Sequence, residues 1–338
     1  MENHHVGKHS ICFSAPPVIL GWSSVAGKKE SEGPFGREYD VTITDSYVNM
    51  NTWEQAELKL QQTALEVLLR KTNRSNSQID TVVSGDLLNQ CISSSMSLKN
   101  MGISHLGLYG ACSTMAESMI VASILVGGDF CRDVVAMTSS HFAASERQFR
   151  FPLDYGGQRP PTSQWTVTGS GAVLLGKDGY GPKITSCTIG TVVDLGITDA
   201  NNMGPAMAPA ALKTIHTHLT DLGVPPSYYD YIVTGDLGKT GVKALIKLGC
   251  EIGLDLEGKI FDCGVEIFHE DKQDVHAGGS GCGCSAVVLC AHLLDQISQK
   301  KLKRILFCGT GALLSPTSVQ QKLSIPGICH AVSIEGGS

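Results

Sequence analysis

Ile79–Asn89 reads IDTVVSGDLLN, and Tyr229–Lys239 reads YDYIVTGDLGK. The two stretches are identical at Asp80/Asp230, Val83/Val233, Gly85/Gly235, Asp86/Asp236 and Leu87/Leu237. Upstream of each lie apolar residues at helical spacing: Leu58, Leu65, Leu68 and Leu69 before the first, and Leu212, Ile215, Leu219 and Leu222 before the second. A polar turn (TNRSNSQ) and a proline break (GVPPS) then separate helix from strand. The pattern predicts a helix over Thr52–Lys71 and strands over Thr81–Ser84 and Tyr231–Thr234. Downstream, GACSTMAESMIVASIL from Gly110 has a partner in GCGCSAVVLCAHLL from Gly281. Each is followed by an apolar run, DVVAMTSS from Asp133 and RILFCGTG from Arg304. Correspondences in the same order predict duplicated α/β halves. Apolar strands without polar alternation, separated by helices, predict a largely parallel sheet covered on both faces. The boundary falls in GKDGYGP, near Gly176–Gly181, which divides the chain into residues 1–178 and 179–338.

With 338 residues, each half is long enough to bury a core of its own. Apolar residues make up 42% and charged residues 17%, as in ordinary soluble globular proteins. A net charge of −6 leaves no basic surplus for phosphates, so nucleic acid is not an expected partner. No apolar run approaches the roughly 20 residues that span a bilayer, and MENHHVGKHS lacks the apolar core of a secretory signal. Twelve cysteines include no CxxC pair, and Cys131, Cys187, Cys290 and Cys308 sit in apolar stretches. A reducing compartment with no structural metal and no cofactor is the expectation. Lys28–Arg37 (KKESEGPFGR) reads as an exposed loop. Residues 146–165, rich in Pro, Gly and aromatics, read as a lid or binding loop, or equally as a surface-packing one.

Cys112 falls where the predicted strand Ser104–Gly110 meets an apolar helix bearing Met115, Met119, Ile120, Ile124 and Leu125. Backbone N–H groups and the helix dipole at such a junction favour thiolate and can also hold a carboxylate. The local residues fit a small buried core cysteine as well. Two glycine-rich stretches do not complete nucleotide motifs. The P-loop spacing before Gly238-Lys239-Thr240 puts Val233 where glycine is required, and Gly279-x-Gly281-x-Gly283 departs from GxGxxG.

YGACSTMAES around Cys112, GSGAVLLG at Gly169–Gly176, GGSGCGCSA near Gly279 and GTGALLSP at Gly309–Pro316 occur in that order. This series resembles the thiolase superfamily, most closely in outline the ketoacyl-synthase III type of condensing enzyme. The resemblance implies an α/β thiolase-like fold: two pseudo-duplicated halves in a five-layered α/β/α/β/α arrangement, forming a homodimer. It implies that Cys112 matches the acyl-carrying nucleophile. It also implies a histidine and an asparagine in the second half. The histidine's position falls on Gly235, no asparagine stands around Gly279–Ser280, and His276 is near but displaced in register. Without such oxyanion donors a condensation would lose several kcal/mol of transition-state stabilisation.

From ICFSAPPVILGWSSVAGKKESEGP through DYGGQRPPTSQWTVTGSGAV to VEIFHEDKQDVHAGGSGCGCSA the chain also resembles, end to end, the stage V sporulation protein AD family of spore-forming Firmicutes. That resemblance implies a non-catalytic subunit of the spore's dipicolinate-transport assembly. It would bind dipicolinic acid, free or as its calcium chelate. It would sit at the forespore or spore inner membrane through co-encoded membrane proteins. The expected ligand-binding residues are Cys112, His141, Asp236, Lys239 and His276, with Arg159 as a further cation. Asp236 recurs as Asp86 in the first half, which also fits a shared structural role. Two alternatives stand beside this reading. One is an active acyl-transferring enzyme using Cys112 with His276; the other is a ligand-free scaffold for membrane partners.

Overall fold

The structure is a computed structural model that describes residues 4–149 and 159–337. Ten strands make the body of its sheet: β1 (Val18–Gly27), β2 (Thr81–Gly85), β3 (Ser104–Gly107), β4 (Asp133–Ser140), β5 (Gly169–Gly176), β6 (Lys183–Thr188), β7 (Tyr231–Thr234), β8 (Ile260–Asp262), β9 (Arg304–Ala312) and β10 (Gly327–Glu335). Their order is β8-β7-β9-β10-β6-β1-β5-β4-β2-β3. Read outward from the β6/β1 join, the two halves have the same layout. β1, β5, β4, β2 and β3 correspond to β6, β10, β9, β7 and β8, with matching directions at every pairing. The Gly-Asp-Leu sequences end β2 and follow β7, at equivalent places. The duplication read from the sequence is therefore present strand by strand.

The sheet is mixed, not largely parallel. β5 runs antiparallel to both β1 and β4, and β10 runs antiparallel to both β6 and β9. Both faces of β4 and β5 are covered, so DVVAMTSS and GSGAVLLG read alike as buried runs without polar alternation, whatever their direction. Apolar composition alone cannot separate the two cases.

Helix α1 (Trp53–Thr72) begins where the Thr52 side chain accepts the Gln55 N–H. It ends at Asn73 in the left-handed conformation (φ 53°). Its buried face, including Leu60, Leu65 and Leu68, covers the outer side of the first-half strands. Helix α2 (Thr114–Gly127) starts just after Cys112. Helix α3 (Phe142–Phe149) follows β4, and helix α4 (Met203–Leu222) covers the outer side of β9 and β10, with α5 (Gly238–Glu251) packed against it. Helix α6 (Cys282–Val288) lies with α2 between the two sets of strands. There Met115, Met119, Val173, Val287, Phe307 and Val332 form one buried cluster. The layers run α1, first-half strands, α2 with α6, second-half strands, then α4 with α5. The central layer is where the N-termini of two pseudo-equivalent helices meet, and Cys112 sits there.

Two loop expectations change. Lys28–Arg37 is only partly exposed: Lys28–Ser31 forms one helical turn, and Phe35 is buried. Glu30 is also buried, accepts the Thr168 N–H at 3.0 Å, and has its carboxyl pushed up to about 7 by burial. A charged-looking run is packed here because its one inward carboxyl has a backbone partner. Of residues 146–165, the first four end α3 and Trp165 begins a two-residue strand paired with Gly279–Ser280. The middle of the expected binding loop, 150–158, lies outside the described residues.

Candidate functional site

The turn that presents Cys112 is locked by its own side chains. Ala111 has φ +51°. The Ser113 and Thr114 hydroxyls donate to the Gly110 and Ala111 carbonyls at 2.6 Å each, and the Thr114 hydroxyl also accepts the Gly110 N–H at 3.1 Å. The Ser113 and Thr114 N–H groups bond to the same two carbonyls. They are therefore not spare donors for an anion, contrary to what the position of Cys112 before a helix predicts.

Opposite the thiol stands a polar cluster from the second half. Cys112 Sγ lies 3.9 Å from Ser280 Oγ. The Ser280 hydroxyl donates to Asp236 Oδ2 at 3.1 Å, the Gly281 N–H to the same oxygen at 2.9 Å, and the Thr310 hydroxyl to Asp236 Oδ1 at 2.9 Å. The Asp236 carboxylate is thus a hub joining the Gly-Asp-Leu turn, the start of α6 and strand β9. Asp262 holds that turn from behind, taking the Leu237 N–H at 2.9 Å and the Gly238 N–H at 3.1 Å. The Gln164 amide bridges the carbonyls of Asp236 and Gly279, at 2.8 Å each. In the first half Asp86 has a comparable capping role, accepting the Leu88 and Ser94 N–H groups and the Ser94 hydroxyl. The shared structural role inferred from the recurrence is real for both aspartates, and Asp236 adds contact with Cys112.

This arrangement reverses the expected electrostatics of the thiol. Burial raises the Cys112 thiol well above its ordinary pKa, and the Asp236 charge and hydrogen bond raise it further. A carboxylate beside a desolvated thiol outweighs the helix dipole, because both burial and like charge disfavour thiolate. The register explains why Asp236 is the residue that faces it. A Cβ on Gly235 would lie 3.1 Å from both the backbone nitrogen and Oγ1 of Thr310. Gly235 therefore abuts β9, and the next side chain turns toward Cys112.

Cys112 lines a cavity with about 560 Å³ free of protein atoms, open solvent included. Leu87, Phe149, Met203 and Leu314 give it apolar walls, and Tyr109 stands among them. Cys112, Ser145, Glu146, Thr166 and Ser280 are its polar lining; no Lys, Arg or His lines it among the described residues.

The cations named from the sequence lie elsewhere. His141 lines a separate cavity with Lys28, Lys29 and Trp165. Its Nε2–H donates to the Ser46 carbonyl at 2.8 Å, and burial lowers its pKa. Strand alternation explains the miss. Ser140 accepts the Gly283 N–H of α6 at 3.1 Å, so the next residue points away from that layer. Lys239 pairs with Glu270 at 2.5 Å. His276, at φ +52°, pairs with Asp274 at 3.3 Å. Arg159 pairs with the same Asp274 at 3.2 Å and lies over the Trp165 ring. Of the expected residues, the structure brings together Cys112 and Asp236. Ser280, Thr310, Gln164 and Asp262 were not singled out. Ser280 and Thr310 sit inside the glycine-rich motifs, where a lone hydroxyl among glycines was the available signal.

The stage V sporulation protein AD family matches residues 7–335. A curated relative, stage V sporulation protein AD of Bacillus subtilis, is 46% identical over 332 residues, covering 97% of each chain. Among solved structures, 3-oxoacyl-[acyl-carrier-protein] synthase III of Aquifex aeolicus aligns at TM-score 0.59 and 13% identity, over 94% of this chain and 99% of that one. Human mitochondrial 3-ketoacyl-CoA thiolase in complex with CoA aligns at TM-score 0.61 and 12% identity, over 97% and 99%. OleA of Xanthomonas campestris with lauric acid and lauroyl-CoA aligns at TM-score 0.60 and 14% identity, over 95% and 99%. At these identities the structural likeness shows the fold: thiolase-like, of the ketoacyl-synthase III kind. By its sequence from end to end, the chain belongs to the stage V sporulation protein AD family.

Proposed function

We propose that this chain is a non-catalytic, ligand-holding subunit of the spore's dipicolinate-transport assembly, with dipicolinic acid bound in the Cys112 cavity. The observation that carries the reading is the pairing at the wall of that cavity, where a buried thiol faces a carboxylate. Acyl transfer through cysteine needs a thiolate to attack and donors to hold the oxyanion that follows. Asp236, whose pKa burial raises while its hydrogen bonds from Cys112, Gly281, Thr310 and Ser280 lower it, puts a carboxylate where negative charge would have to develop. The Ser280 hydroxyl and the Gly281 N–H, the donors beside the thiol, are already directed to that carboxylate. A single missing oxyanion donor costs about 3 kcal/mol. What remains is a mostly apolar cavity, partly open to solvent, with a few hydroxyls, suited to a flat aromatic ring with polar edges.

Charge bears on the form of the ligand. Metal-free dipicolinate carries two carboxylates, and among the described residues no Lys, Arg or His lines the cavity. A calcium ion held between the two carboxylates removes that charge before entry. Calorimetric titration of the purified protein with dipicolinate, with and without calcium, tests the reading. Saturable binding supports it, and no heat in either series would overturn it.

Incubation with acetyl-CoA or lauroyl-CoA should give no sustained condensation product. Intact-mass measurement and product analysis check this together. Transient acylation of Cys112 fits the reading, whereas continued turnover would replace it with the enzymatic alternative.

Attachment to the membrane is assigned to protein partners. No helix among the described residues is long and apolar enough to cross a bilayer, and the net charge of −6 does not favour anionic leaflets. In fractionated sporulating cells the protein should pellet with membranes when the co-encoded membrane subunits are present and stay in the supernatant without them. Equal pelleting in both would show direct lipid binding.

A further inference from the structure

Ser145 lies on α3, in the wall of the Cys112 cavity. The residue is 3% exposed, and its N–H is spent on the His141 carbonyl at 3.0 Å. Its hydroxyl is buried and has no hydrogen-bond partner. A buried hydroxyl left unpaired is unfavourable, and among the buried unpaired side-chain atoms of the described residues Ser145 Oγ is the one whose residue lines this cavity. The other nearby hydroxyl of known bonding, Ser280, already donates to Asp236 and can offer a ligand only its lone pairs. The two serines therefore differ in what they can read: Ser280 an incoming donor, Ser145 an incoming acceptor.

We propose that Ser145 is a ligand contact. Its hydroxyl donates to a carboxylate oxygen of the molecule held in the Cys112 cavity, and so selects ligands that present an oxygen acceptor toward α3. This rests on the reading that the cavity holds an aromatic dicarboxylate, and it adds the residue that orients it. The ring lies against Leu87 and Phe149, which form an apolar cluster with Cys112 and Cys282. One carboxylate edge then meets Ser145. No charged side chain is needed for the contact.

The test compares the full chain with Ser145→Ala and Ser163→Ala. Ser163 is a matched control: it is 1% exposed, its hydroxyl also lacks a partner, and it does not line the cavity. Dipicolinate affinity is read by calorimetry, and unliganded stability by thermal denaturation. A hydrogen bond to a charged acceptor is worth about 1.5–3 kcal/mol, so Ser145→Ala should weaken binding about tenfold or more. Ser163→Ala should leave binding unchanged. Neither variant should lower the unliganded melting temperature, because neither removes a hydrogen bond within the protein. Equal affinity of Ser145→Ala and the parent would overturn the contact while leaving the cavity's ligand in place. A lowered melting temperature for Ser145→Ala alone would also overturn it, since the hydroxyl would then have a structural partner. If the parent chain binds no dipicolinate, the dicarboxylate reading and this contact fall together.

Discussion

Replacing Asp236 with alanine is expected to destabilise the fold by on the order of 4 kcal/mol. The carboxylate is completely buried and accepts from the Thr310 and Ser280 hydroxyls and the Gly281 N–H. Alanine leaves all three donors unpaired and opens space at the junction of the two halves. Denaturant unfolding measures the loss, and a change below about 1 kcal/mol would mean that water replaces the carboxylate at little cost. Asp236→Asn is the milder and more informative change. It keeps the volume and one acceptor oxygen but removes the charge facing Cys112. Because that charge raises the thiol pKa, its removal should lower the pKa, increase the thiolate fraction at any given pH and speed alkylation. The readout is the iodoacetamide rate at the Cys112 peptide, followed by mass spectrometry, since exposed Cys250 reacts independently. An unchanged rate at Cys112 in a folded Asp236→Asn protein would leave burial alone as the cause of the thiol's inertness.

The same carboxylate shows where sequence reasoning succeeded and where it stopped. The repeated Gly-Asp-Leu could be read because each copy follows an apolar strand and each strand follows a periodic helix. Local periodicity and turn chemistry are recorded along the chain. The helix over Thr52–Lys71 and the strand Tyr231–Thr234 belong to the same class of information. Strand direction is not recorded that way. The antiparallel β5 and β10 read like their parallel neighbours because helices cover both faces. The partner of a side chain across the duplicated halves is not recorded either. Nothing near Cys112 in sequence announces that Asp236 and Ser280 will face it, more than a hundred residues away. The helix N-terminus favours thiolate, but the second half brings a carboxylate to it, and with burial that decides the thiol's state. His141 misled for a geometric reason. It is adjacent to the right strand end, but alternation sends it to the other cavity, and one residue of register decides which site a side chain serves.

Cys112→Trp should abolish dipicolinate binding while the protein stays folded. The thiol lines the cavity, so an indole at that position occupies ligand space and has an outlet into it. Most core positions lack such an outlet, and there the added volume typically costs 1–3 kcal/mol through overpacking. At Cys112 the mutant's stability should stay within about 2 kcal/mol of the parent. Calorimetry is the primary readout, with circular dichroism and thermal denaturation establishing that the variant is folded. Cys112→Ser serves as the partner variant. It keeps the size and a donor toward Asp236 while removing thiol chemistry, so it should bind dipicolinate nearly as well as the parent. Binding retained by serine and lost by tryptophan places the ligand in the cavity and assigns the cysteine a packing role. Binding unaffected by tryptophan in a folded protein would move the ligand elsewhere, the His141 cavity with its Lys28 and Lys29 being the next place to test. Binding lost equally in serine and tryptophan would instead make the sulfur itself the point of recognition, and a covalent acyl-type attachment would then have to be reconsidered.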